Sequence, residues 1–193
     1  MDLSIPSSAE RPAGPPRIAH DRLQRLHAYW AGLPVAGCGV PLRAAFDPIA
    51  VPYCLANLGV AEIETPFRVR YRLAGSALED LYGGPLAGRY VDALYTPALR
   101  ARVLEGYRRV TAGAAPVYDA PMRLLRSFGL GFLRLMLPLS EDGDAVDRVL
   151  VAIYPCDSRL RHAWQWRRRV DVLNWVSGEA NPPVAWRDDD RQP

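Results

Sequence analysis

The chain has 193 residues, 49% of them hydrophobic and 23% charged, with a net charge of +3, and at that length it buries roughly 70% of its unfolded surface without needing staples. All 24 basic residues are arginine and they are interleaved with Asp and Glu, so no strong basic field marks a nucleic-acid or membrane-surface binder. Three cysteines without metal-type spacing, no apolar run near the ~18 residues of a membrane span, and a Pro- and Ser-rich start in place of a signal peptide point to a reducing cytoplasm.

Residues 1–19 read as a disordered tail, and 20–42 as a flanking helix with its linker. Asp21 is placed to cap that helix, in which Leu23, Leu26, Tyr29 and Trp30 recur at helical spacing. Asp47-Pro48 reads as a cap followed by a first-position proline. Val60 to Glu64 is a strand. Phe67 to Leu73 is a clearer one, because Phe67, Val69, Tyr71 and Leu73 alternate strictly with Arg68, Arg70 and Arg72. Thr65-Pro66 joins the two as a hairpin.

Ser76-x-x-Glu79 has the form of a capping box and opens a short helix bearing Leu78, Leu81 and Tyr82. Gly83-Gly84-Pro85 breaks it, and Gly88 to Leu94 holds a turn of helix. Thr96-Pro97 opens a longer helix with Leu99, Val103, Gly106, Tyr107 and Val110 on one face, closed by Gly113. Three strands follow: Pro116 to Phe128, Gly131 to Leu139 and Val146 to Tyr154, with a polar turn at Ser140 to Asp144. From Val149 the last strand is apolar on both faces, so both sides of its sheet must be covered. Asp157-Ser158 opens a final helix over 157–177, and 178–193 reads as a flexible tail.

The order predicts an α+β domain over 43–156: a five-stranded antiparallel sheet with short helices on one face, plus flanking N- and C-terminal helices. The residues also resemble a PAS-like family of mainly alphaproteobacterial bacteria, formerly a domain of unknown function. The resembling segments are Asp47-Pro48 with its apolar turn, the run Phe67 to Ser76, Tyr82-Gly83 with Leu86 to Tyr90, and Leu137 to Gly143 with Val146-Asp147. The resemblance implies a sensory or protein-interaction module that holds a small ligand, haem or flavin, or simply dimerises.

The residues narrow those options. The longer helix carries no histidine for haem, and no Asn-Cys-Arg setting exists for a photoactive flavin, so both cofactors are argued against and the cofactor stays open. Cys54 reads as a small buried hydrophobe. Glu62 and Glu64 share a strand face but read as ordinary sheet-edge carboxylates. Ser140 to Asp144 lacks the length and distal Glu of a calcium loop, and no metal site is expected. No catalytic residues are assigned, and the protein is not expected to be an enzyme.

Tyr71, Leu78, Tyr82, Leu94, Val103, Tyr107, Leu135, Leu137 and Val151 are expected to line a space between sheet and helices, where tyrosine hydroxyls meet a polar ligand. The competing reading is a filled core. Trp30, Arg70, Trp164 and Trp166 are interface candidates, because aromatic bulk on flanking helices suits either capping of the outer sheet face or a homodimer. The expected role is a regulator without its own output domain, binding a small molecule, a signalling partner or a second copy. A ligand-free dimerisation module and a small enzyme on a similar scaffold are the alternatives.

Overall fold

The structure, a computed structural model, describes residues 18–95, 97–125 and 130–155, with side chains undescribed at 98 and over 120–131. The expected helix at 157–177 with Trp164 and Trp166, the C-terminal tail and residues 1–17 of the expected N-terminal tail lie outside the described residues. Among the described residues eight elements make the frame: α1 (Asp21–Ala31), β1 (Leu58–Glu64), β2 (Arg68–Ala74), α2 (Ser76–Tyr82), α3 (Pro97–Gly113), β3 (Val117–Leu125), β4 (Leu130–Leu139) and β5 (Arg148–Pro155). The sheet is antiparallel throughout, in the order β2-β1-β5-β4-β3. Short 3-10 turns lie at Arg43–Ala45, Pro48–Ala50, Leu55–Asn57 and Val91–Ala93.

The central strand β5 is buried on both faces. Val149, Val151 and Ile153 face an inner core layer, and Leu150, Ala152 and Tyr154 an outer one. The inner layer holds Leu78 of α2, Val91, and Val103, Tyr107 and Val110 of α3. The outer layer is closed by α1, through the fully buried Leu23 and Leu26. Trp30 Nε1 fastens the end of α1 by donating to the Pro138 carbonyl oxygen at 2.8 Å. The N-terminal helix is therefore one cover of the outer sheet face. Ile18 is buried in that layer as well, so the expected disordered tail does not extend to residue 19.

Local chemistry explains several boundaries. Asp47 caps its 3-10 turn by accepting from Ile49 N–H at 2.8 Å, with Pro48 at the first position. The expected caps at Asp21 and Ser76 are not used. His20 and Gly75 occupy the capping positions, and neither offers a side-chain bond there. Glu79 instead accepts from the Leu86 N–H at 3.2 Å, which ties the following loop back to α2. Gly75 is required by close approach: a Cβ there would meet the Leu55 carbonyl oxygen at 1.9 Å.

Two expectations about strand faces are corrected. A bulge between β1 and β2 pairs Val60 with Leu73 but Ala61 with Tyr71. The strict alternation of β2 ends there, and Leu73 is 57% exposed instead of joining Tyr71 in the core. In β4, Leu135 and Leu137 belong to the outer layer under α1, and Met136 to the inner one. The pairs Leu135–Ala152, Met136–Val151 and Leu137–Leu150 fix this phase. The outer edge of β2 is covered by the loop after α2: Gly88 N–H donates to the Tyr71 carbonyl, and Tyr71 N–H to the Arg89 carbonyl.

Candidate functional site

Tyrosines from four separate segments converge in the inner layer. β2 supplies Tyr71, the last residue of α2 is Tyr82, Tyr95 precedes α3, and Tyr107 lies in α3. Tyr71 and Tyr107 are fully buried, while Tyr82 and Tyr95 are partly buried against the same layer. The Tyr107 hydroxyl donates to that of Tyr71 at 3.5 Å, and the hydroxyls of Tyr82 and Tyr95 hydrogen-bond to each other. The rings of Tyr82 and Tyr95 meet edge to face at 5.8 Å, the favoured aromatic geometry.

A charge lies beside this group. Arg134 projects from β4 with only 4% of its side chain exposed. Its Nε and Nη2 both donate to Asp119 Oδ2, at 3.0 and 2.6 Å. The Arg109 guanidinium approaches Asp119 Oδ1 at 3.7 Å from α3. Burial presses the Arg134 pKa down, but the Asp119 charge and hydrogen bonds raise it further, so the guanidinium stays charged. Gly106 makes room for it: a Cβ there would lie 2.3 Å from Arg134 Nη2. Glycine inside a helix costs about 1 kcal/mol against alanine, and the close approach of Arg134 accounts for its use here.

Of the expected lining, Tyr71, Leu78, Tyr82, Leu94, Val103, Tyr107 and Val151 share this layer. Leu135 and Leu137 do not, as the phase of β4 dictates. Sequence reasoning missed Tyr95, Met136 and the Arg134–Asp119 pair. Arg134 had a readable signal, since it is the one charged residue in the otherwise apolar run Leu130 to Leu139.

The interface candidates that are described are engaged within the chain. Trp30 is held by Pro138. Arg70 pairs with Glu62 at 2.8 Å and Glu64 at 2.7 Å on the outer sheet face. Glu62 also meets Arg148 at 3.2 Å and Arg72 at 3.7 Å, so the two carboxylates are charge-paired parts of the sheet surface.

Burial raises the pKa of each clustered tyrosine, and it places Tyr82 and Tyr107 well above the ordinary value of 10.0. The Tyr107 hydrogen bond and the Arg134 charge only partly oppose burial at Tyr71. Above about pH 10 the unfolded chain sheds phenolic protons that the folded one keeps, so stability falls as pH rises through that window. Absorbance titration at the phenolate band should therefore show these tyrosines ionising only together with alkaline unfolding. Reversible ionisation of all nine tyrosines near pH 10 in the folded protein would contradict a dry centre.

Among the described residues no helix is long and apolar enough to cross a membrane. No curated protein matches the chain. Comparison with family models matches residues 18–154 to a family described as a PAS domain, which takes in α1, the tyrosine layer and the sheet up to, but not including, the last residue of β5. The chain belongs to the PAS domain family.

Proposed function

We propose that this PAS module senses a small, polar, hydrogen-bonding molecule at the centre formed by Tyr71, Tyr82, Tyr95, Tyr107 and Arg134, and reports its presence to a partner protein. The convergence of four phenol groups beside a buried guanidinium carries the reading. A core that only needed filling would be served by phenylalanine and leucine, whereas buried hydroxyls demand partners and lend direction. Each phenol both donates and accepts, so the Tyr–Tyr bonds can be exchanged for bonds to a ligand with few groups left unsatisfied.

The route outward runs through β3 and β4. Their inner side carries Asp119 and Arg134; on the outer side Tyr118 accepts from Ala19 N–H at 3.3 Å, and Leu133 and Leu135 pack under α1. A ligand that shifts the inner side of these strands thus acts on the seat of α1, which makes α1 the element offered to a partner. Fold membership leaves the chemistry to the site. The described tyrosine centre presents phenols and one paired guanidinium, a set suited to binding.

Native mass spectrometry of gently extracted protein tests this. A fraction of molecules should carry one additional small mass, and Tyr107→Phe, which removes a buried hydroxyl at about 1 kcal/mol, should lower that fraction several-fold. Bare protein mass under every extraction condition would contradict it.

A further inference from the structure

A cleft of about 290 Å³ opens between α3 and β3, on the surface side of Arg134. Arg102, Glu105, Gly106 and Arg109 line it from α3, Tyr118 and Asp119 from β3, and Arg134 from β4. The α3 residues stand at i, i+3, i+4 and i+7, which is one helix face. Arg102 and Arg109 are therefore about two turns, or roughly 10 Å, apart along the helix. Gly106 lies between them and lets the Arg134 guanidinium reach the helix backbone. The cleft thus has a buried cation at its floor and two surface cations at its mouth.

We propose that this cleft binds a small organic anion bearing a single carboxylate. Three arginines face two carboxylates, Glu105 and Asp119, so the cleft carries one uncompensated positive charge. Glu105 is further drawn to Arg108, at 3.9 Å on the same helix. Arg109 touches Asp119 only at 3.7 Å and is 57% exposed, and Arg102 makes no ion pair among the described residues. Both are placed to turn their planar forks onto a carboxylate, the geometry that guanidinium groups match best. Asp119 serves to fix the Arg134 plane, since two donors converge on its Oδ2. Its charge also disfavours a dianion. The volume lies just below the roughly 300–1,000 Å³ of ligand pockets, which selects a molecule smaller than a nucleotide. The site shares Arg134 with the tyrosine centre but does not need that centre to hold a ligand.

The test compares acetate, propionate and benzoate with the matching neutral amides at constant ionic strength, by thermal shift and calorimetry. At least one carboxylate should bind saturably while its amide does not. Arg102→Gln and Arg109→Gln, both surface changes that leave the buried pair intact, should each weaken binding roughly tenfold, the scale of a lost charge-assisted bond. Tyr107→Phe should leave carboxylate binding unchanged. The proposal is overturned by absence of saturable binding, by equal binding of amides, or by indifference to both arginine variants. It is also overturned if Tyr107→Phe abolishes binding, which would put the anion in the tyrosine centre.

Discussion

Asp119→Ala is expected to destabilise the protein by about 3–5 kcal/mol, because it leaves the Arg134 charge buried without its partner. The double variant Asp119→Ala, Arg134→Met should regain most of the loss, as apolar replacement of a buried pair of similar volume is often near neutral. Arg109, the other cation at Asp119, is largely solvated and adds little to the balance. Urea unfolding at unchanged m-value measures both. A loss under about 1 kcal/mol for the single variant would show that the pair is not desolvated in solution.

Leu26→Ala is expected to cost about 2–5 kcal/mol, the range for emptying a buried leucine site. Leu26 is fully buried against the outer sheet face, and a rigid helix on a twisted sheet closes poorly over a gap. Unfolding should remain one cooperative transition, because α1 and the sheet share one layer. A loss below about 1 kcal/mol, or a separate early transition for α1, would mean that the helix is only loosely seated. That outcome would also weaken the role given to α1 in carrying the signal outward.

The fold was readable where one residue pattern had one solution. The apolar–arginine alternation of β2 and the doubly apolar β5 each demanded a particular strand environment; β5 took it throughout, and β2 only as far as Tyr71. β4 was different. With leucines at Leu133, Leu135, Leu137 and Leu139 and Arg134, Met136 and Pro138 between them, the single charge marks as solvent-facing a side that is buried, so its phase is set only by pairing with β5. The bulge that exposes Leu73 is likewise a property of two strands together. Three of the four clustered tyrosines could be placed from helix and strand periodicity, but Tyr95 lies in a connection with no period to read. Arg134 and Gly106 each broke a local rule, a charge in an apolar strand and a glycine in a helix. Each is explained by the other across the core.

The central claim, that the tyrosine centre receives a small molecule, is met most directly by carbon-13 NMR of protein labelled at the tyrosine ring Cζ. Signals of Tyr71, Tyr82, Tyr95 and Tyr107 are assigned from the individual Phe variants. Titration with the small-molecule fraction of a cell extract should shift these signals saturably, while tyrosines outside the centre such as Tyr53 and Tyr90 stay in place. If the four signals remain unmoved at every extract concentration, the tyrosines bond only to one another, and the centre is a packed core without a ligand.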